Sequence, residues 1–289
     1  MVRPIADTAT KGAWYRQWRL VSLGGSTLDV ADEAASDAAF GRPGASRGRS
    51  AYPQIRFVSL VENGTHVLFA SQMAVDATGE ITLAKSVLRG LRVDMLCLAD
   101  RQFFGFSFWN QARATGADLL WCVKKNMRLR RDLSDGSHLS RIYPSEQDWR
   151  RKTNGVTVRV IDYRLQGVPD AEPIYRLVTT LRNHEAAPAH EFAALYHERW
   201  EIETALDELK THLCGARIVL RSKTPHLVRQ AFYGLIMAHF AIRSLIHEAA
   251  LKADADPDSL SFLHAVRIVR RKMPAAVAVP PYEPKGLSC

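Results

Sequence analysis

The chain lacks long apolar runs and has few cysteines. No stretch approaches the roughly 20 apolar residues that a membrane-spanning helix needs, and the N-terminus has no apolar signal core. Secreted and membrane-inserted classes are thereby set aside, and a cytoplasmic protein with no membrane partner is expected. The four cysteines, Cys97, Cys122, Cys214 and Cys289, stand far apart with no Cys-x2-Cys pair. That spacing gives no support to a zinc site and fits free thiols in a reducing compartment. Internal repeats are absent as well. Acidic groups are in deficit, 30 against 39 Lys and Arg, for a net charge of +9. This balance points to a polyanionic partner and says nothing of fold. What is present is an ordinary globular composition, 47% hydrophobic and 24% charged over 289 residues, enough for one large domain or two modest ones.

Hydrophobic patterning gives the organisation. Met1 to Ala13 has little pattern and reads as a loose segment. Trp18 to Leu23 reads as a strand, with Ser26 to Val30 as its possible return. Asp37 to Pro53 reads as an exposed basic loop, either a connector or a DNA-contacting element. Ile55 to Val61 and Thr65 to Ala70 form a hairpin about the turn signal Asn63-Gly64. A helix over Ile81 to Arg92 precedes a buried strand, Val93 to Ala99, which ends at Asp100. Phe103 to Ala114 is a second helix, closed by Gly116, and Asp118 to Val123 a further buried strand. Strands alternating with helices after an antiparallel hairpin indicate an α/β fold with a mixed sheet. Between Lys124 and Pro188, Val156 to Leu165 and Tyr175 to Leu181 alternate as strands, and basic residues including Lys124 and Lys125 accumulate. Helices follow at about His226 to Leu251 and Leu260 to Arg271, then a proline-rich tail from Pro274, read as disordered.

The segment Tyr196-His197-Glu198-Arg199-Trp200-Glu201-Ile202-Glu203-Thr204-Ala205-Leu206-Asp207-Glu208-Leu209-Lys210 is the most informative. Rich in Glu, Leu and Ala and free of Gly and Pro, it reads as a helix. At about 100° per residue, Tyr196, Arg199, Glu203 and Lys210 share an arc of roughly 60°. Phe192, Leu195, Ile202, Ala205, Leu206, Leu209 and Leu213 lie on an adjoining apolar face. A carboxylate among cations suits a divalent ion with phosphate oxygens beside it. A solvated, salt-bridged face is the plain alternative.

Tyr-x2-Arg-x3-Glu-x6-Lys resembles the hallmark of the insertion-sequence-4 family of DDE transposases. Leu98-Ala99-Asp100-Arg101, Ala51-Tyr52-Pro53-Gln54 and Leu220-Arg221-Ser222-Lys223-Thr224-Pro225 also resemble family segments, and the likeness runs over about residues 14 to 272. It implies an RNase H-like mixed sheet flanked by helices, with a β-rich insertion subdomain before the last catalytic helix. The boundaries expected are 1–13, 14–125, 126–187, 188–273 and 274–289. It also implies binding of transposon-end and target DNA as a homodimer, nucleoid association, and strand cleavage and transfer with two Mg²⁺ or Mn²⁺ ions about 3.5–4 Å apart. Asp100 and Glu203 become the second and third acids and the metal ligands. Arg199 and Lys210 become phosphate contacts, and Tyr196 the group that orients Glu203 or a phosphate oxygen. Trp200 borders the row and either stacks on an unpaired base or belongs to the core. Lys124 and Lys125 complete the DNA-binding set.

Two departures set this chain apart. Where the pattern has Asp-Gly at the end of the first strand, it reads Leu23-Gly24-Gly25, and Gly24 has no ligand atom. Asp29 lies about 16 Å further along an extended strand, at an odd offset that points to the other face. About 17 residues precede the first strand, where family members commonly carry a DNA-end-recognising region. Gln230-Ala231 stands in place of Gln-Glu. A truncated, catalytically impaired or relic copy is therefore expected. The alternatives are a non-catalytic protein that binds DNA or an intact transposase through Phe232, Leu235, Ile236, Phe240 and Ile242, and a stand-alone nuclease.

Overall fold

The computed structural model describes residues 2–45, 48–49, 52–124, 131–165, 172–213 and 219–276. Its centre is one mixed sheet. The main strands are β1 (Trp18–Val30), β2 (Gln54–Glu62), β3 (Val67–Val75), β4 (Met95–Ala99), β5 (Asp118–Val123), β6 (His138–Ile142), β7 (Val156–Tyr163) and β8 (Tyr175–Thr179). Their spatial order is β3-β2-β1-β4-β5-β8-β7-β6. The first three pair antiparallel, and β1, β4 and β5 run parallel. This is the expected RNase H-like arrangement, an antiparallel meander followed by parallel strands joined through helices. The later strands β8, β7 and β6 extend the same sheet antiparallel beyond β5.

Helices cover both faces. On one side α1 (Glu80–Val87) and α2 (Phe106–Arg113) bury Leu83, Val87, Phe108 and Trp109 against Leu23, Cys97 and Trp121. On the other side lie α3 (Ala189–Leu195), α4 (Glu201–Asp207) and the long α5 (Pro225–Ala253), followed by α6 (Phe262–Ala276). Thr224 caps α5, accepting from the Leu227 N–H, with Pro225 in its first turn. Phe232, Ile236 and Ile242, read above as a possible partner surface, are buried within this chain. Among the described residues no helix is long and apolar enough to cross a membrane.

Three local expectations need correction. Ser26–Val30 is not a return strand. β1 runs unbroken through Gly24-Gly25, because β2 pairs with it from Val21 to Asp29 and holds the glycines extended. The stretch from Asp37 is not all loop, since a short helix, Ala34–Phe40, buries Phe40. The N-terminal segment is anchored. Glu62 is fully buried, and its carboxylate takes N–H bonds from Ile5 (2.8 Å) and Ala6 (3.0 Å) as well as the hydroxyl of Thr65 (2.7 Å). A buried carboxylate must find donors, and here the Arg19 guanidinium and Thr65 share that role with the N–H groups of the first residues. Residues 277–289 of the proline-rich tail, and Cys214, lie outside the described residues.

The hairpin turn between β2 and β3 is a docking point. Gly64 has φ +76, and a Cβ there would lie 2.6 Å from the Lys11 carbonyl oxygen, so only glycine fits. Asn63 accepts from Ser22 Oγ (2.9 Å) and donates to the Glu198 carbonyl (2.7 Å), while the Gly64 N–H donates to Glu201. Beside the turn lies a buried polar network. His66 Nε2 is 3.0 Å from Asp258 and 3.5 Å from Glu201, and Glu208 contacts His66, His239 and Arg243. Burial alone would raise the Glu208 pKa. The bonds from His239 and His66 and the Arg243 charge reverse this and hold it well below the usual glutamate range. A lowered folded pKa means stability that is present above the unfolded value and lost as pH falls through the folded one. The Glu208 contribution should therefore be intact at neutral pH and decline below about pH 4.5. Glu208→Ala strands Arg243 in the interior and is expected to cost about 3–5 kcal/mol in urea unfolding at pH 7. A loss within about 0.5 kcal/mol, typical of a surface site, would contradict the network's role.

Candidate active site

β4 presents Asp100 just past its last residue. Leu23 pairs with Ala99, so Gly24 comes level with Asp100, where β4 ends. From Gly24 onward β1 pairs only with β2, until the short Val219–Leu220 strand joins Asp29–Val30. The sheet is thus split on one side of β1. Asp100 is half-buried, and its Oδ1 accepts from the Gln102 N–H at 2.5 Å, which fixes the turn.

The motif segment comes to this split from the α3–α4 side, and not as a uniform helix. α3 tightens to a 3₁₀ turn over Tyr196–Trp200, returns to α in α4, and widens to a π turn over Glu208–Leu213. Arg199 keeps contact with both Tyr196 and Glu203, as the expected arc requires, while Lys210 is engaged by β1. In the 3₁₀ turn, residues three apart eclipse, so Arg199 stacks beside Tyr196, with its guanidinium 5.8 Å from that ring and 4.8 Å from Trp200. In the π turn Lys210 swings to β1, donating to Ser26 Oγ at 2.9 Å. The apolar face divides too. Ile202, Ala205, Leu206 and Leu209 pack on Leu28 and Phe57, whereas Phe192 packs with Trp18, Leu20 and Leu98.

Each candidate residue has a definite place. Tyr196 is buried, and its hydroxyl donates to the Ala99 carbonyl at 3.2 Å, next to Asp100. It is committed to backbone, and contacts Glu203 through no hydrogen bond among the described residues. Arg199 is only 8% exposed; its Nη1 lies 3.7 Å from Glu203 Oε1, and its Nε has no hydrogen-bond partner among the described residues. A buried donor without a partner is uncommon and marks this guanidinium as more than a packing element. The Glu203 side chain is 57% exposed. Trp200 is exposed, which removes it from the core. Lys124 is exposed just beyond β5, beside a cavity lined by Arg101, Glu172, Tyr175 and Arg176. Lys125 lies outside the described residues.

The first-acid position is filled by packing. A Cβ at Gly24 would lie 2.5 Å from Ile202 Cδ1, so the residue before Glu203 covers the glycine. Asp29 stays away, accepting from Gln54 Nε2 at 2.6 Å. A carboxylate the sequence reading missed lies close by. Glu80, the first residue of α1, has its pKa raised first by burial, then by the charges of Asp100 and Glu203, with Arg56 opposing. The signal for Glu80 was faint: a glycine pair in mid-strand and an acid at a helix start.

A split between parallel strands, with acids brought from a strand end and a helix, defines a class of phosphodiester-processing folds. The family model described as Transposase DDE domain matches residues 20–241, and the chain belongs to that family. The insertion-sequence-4 likeness is borne out. The chain is similar to "Transposase InsG for insertion sequence element IS4" from Escherichia coli (strain K12), at 28% identity over 262 residues, covering 88% of this chain and 58% of that protein. Among solved structures, a cryo-EM structure of the piggyBac transposase synaptic complex with hairpin DNA aligns with a TM-score of 0.49 and 11% identity, covering 91% of this chain and 55% of that one. The chain spans little more than half the length of these two relatives. DDE transposases use a divalent metal. Carboxylate oxygens such as those of Asp100 and Glu203 are the donor type a hard divalent ion takes; among the described residues, the side chains whose ligand atoms lie within 4.8 Å of one another are those of His66, Glu201 and Asp258.

The Gly24–Ile202 contact generates a test. Gly24→Asp must displace Ile202 and is expected to destabilise by about 1–3 kcal/mol; Ile202→Ala alone should cost about 2–5 kcal/mol, and the double variant should lose less than the sum of the two. Thermal unfolding of the single and double variants reads this coupling directly. Strict additivity of the two changes would show that the residues do not touch.

Proposed function

We propose that this chain carries out DDE-type processing of transposon DNA, using Asp100 and Glu203 as ligands for Mg²⁺ or Mn²⁺. What supports the reading is the family match, together with Asp100 at the end of β4, where Tyr196 of the motif segment bonds the neighbouring Ala99 carbonyl, and the 3.7 Å approach of Arg199 to Glu203 on that same segment. When bound, the ion supplies Lewis acidity toward a phosphodiester. The chain's own groups do the rest. Arg199 holds a phosphate oxygen and stays aligned with Glu203. Tyr196 pins the motif segment to the end of β4, and Lys210 bridges that segment to β1. Trp200, exposed beside Arg199, offers a stacking surface for a base near the cut. Lys124 and Lys125, with the net positive charge, extend contact to the DNA backbone. Transposon ends and target DNA are the proposed partners, bound as a homodimer.

Gly24 leaves the first-acid position without a ligand atom, and we expect strand cleavage slower than in a chain carrying an acid there. A non-catalytic protein that binds DNA, or interferes with an intact transposase, is the second reading, and Gly24 is the observation in its favour.

Supercoiled plasmid with MnCl₂ or MgCl₂ tests the proposal. Asp100→Asn and Glu203→Gln should each lower nicking at least ~10²-fold, the scale of lost electrostatic stabilisation, while leaving plasmid binding within about two-fold. Arg199→Ala should weaken binding and flatten its dependence on log salt by about one counterion. Gly24→Asp with Ile202→Ala is expected to nick at least ~10²-fold faster than the parent chain. Salt-dependent binding with no nicking in any variant would favour the non-catalytic reading.

A further inference from the structure

We propose that His66, Glu201 and Asp258 form a metal site distinct from the Asp100 and Glu203 pair, a clip for a zinc-type divalent ion that ties three separate elements together behind the motif segment. The proposal does not depend on the reading of Asp100 and Glu203.

The three side chains reach one point from distant places in the chain. His66 ends the turn between β2 and β3, Glu201 opens α4, and Asp258 sits in a 3₁₀ turn, Pro257–Ser259, between α5 and α6. Their ligand atoms lie within 4.8 Å of one another. His66 Nε2 is 3.0 Å from Asp258 Oδ1 and 3.5 Å from Glu201 Oε2. Donors bound at about 2.0–2.2 Å to a tetrahedral ion stand roughly 3.3–3.6 Å apart, close to these separations.

Hydrogen bonding does not account for the cluster. His66 is 4% exposed and Glu201 9%, yet His66 Nε2 and Glu201 Oε1 have no hydrogen-bond partner among the described residues. Both carboxylates approach the ring nitrogen, but neither is in line to accept a proton from it. Buried polar atoms are rarely left in this state, and two in one cluster point to a ligand that completes them. On the far side of the ring, Nδ1 is 3.4 Å from Glu208 Oε1, and Arg243 Nη2 lies against the same nitrogen. With Nδ1–H given to Glu208, Nε2 turns a lone pair toward two carboxylates, which is unfavourable until a cation comes between them. A carboxylate behind the imidazole is also the support that metal-bound histidines use. His66 holds a φ of +57, a left-handed backbone that is uncommon for a residue with a side chain and recurs at ligand clamps.

The adjoining elements offer no free cation in the ion's place. Arg243 is taken by Glu208 and Lys11 by Asp254. The Asp258 side chain is 35% exposed, which leaves an ion a way in from solvent. One imidazole and two carboxylates suit Zn²⁺ or Co²⁺, with water in a fourth position, better than Mg²⁺, which takes oxygen ligands. Glu201 stands two residues before Glu203, so the ion fastens the motif segment to both turns.

Zn²⁺ and Co²⁺ binding to chelator-treated protein tests the assignment without an activity readout. The parent chain should take up one Zn²⁺ tightly, and Co²⁺ in the same place should show the strong visible absorption of a four-coordinate ion. Asp258→Asn changes the partly exposed ligand and should fold as the parent does. It should bind Zn²⁺ at least about 100-fold more weakly, the upper end of what losing even an outer-shell partner costs. His66→Gln should abolish the Co²⁺ absorption. Saturating Zn²⁺ should raise the unfolding temperature of the parent and leave that of Asp258→Asn unchanged. Asp100→Asn should bind Zn²⁺ as the parent does, which separates this site from the end of β4. A parent chain that binds no Zn²⁺, or binds it no more tightly than folded Asp258→Asn, would overturn the assignment and leave the three groups as an ion-pair cluster.

Discussion

Parallel pairing between β1 and β4 stops at Leu23 and Ala99, while β1 continues for seven more residues beside β2. That mismatch of length opens the sheet and gives Asp100 a strand end from which to project. Hydrogen bonding on the β2 side keeps β1 straight through two glycines that could otherwise have turned it. Had β1 folded back at Gly24-Gly25, there would be no continuous wall for Ile202 and Lys210 to rest on. The site follows from where one ladder ends and the next does not.

The motif segment must be held with precision for carboxylates to share an ion, and its anchors lie along its whole length. Tyr196 bonds the end of β4. The Asn63-Gly64 turn takes the Glu198 carbonyl and Glu201. The Glu208–Arg243 pair ties the π turn to α5. These polar anchors flank an apolar stripe from Ile202 to Leu209, so burial sets the depth of the segment and the polar bonds set its register. Arg199 is buried between the Tyr196 and Trp200 rings and within 3.7 Å of Glu203, with its Nε left without a hydrogen-bond partner among the described residues.

Much of this was legible from residues. The hairpin about Asn63-Gly64, the buried strand ending at Asp100, the helix from about His226 and the free, buried Cys97 and Cys122 all follow from local rules of turns, periodicity and composition. What was not legible depended on distant partners. Constant helical rotation assumed one uniform helix from Tyr196 to Lys210, whereas the segment passes through a 3₁₀ and a π turn. Residues in those turns bond Ala99 and Arg243, which are remote in sequence. The mid-strand glycines suggested a reversal because their neighbour across the strand, Glu80, is more than fifty positions away. The N-terminal residues seemed loose because nothing local reveals that Glu62 is buried and needs their N–H groups.

The most direct measurement is anomalous diffraction at the manganese edge from crystals grown with MnCl₂. The predicted result is a peak within about 2.0–2.6 Å of carboxylate oxygens from both Asp100 and Glu203. A peak confined to His66, Glu201 and Asp258, or carboxylates of Asp100 and Glu203 turned to separate faces with no ion between them, would contradict it.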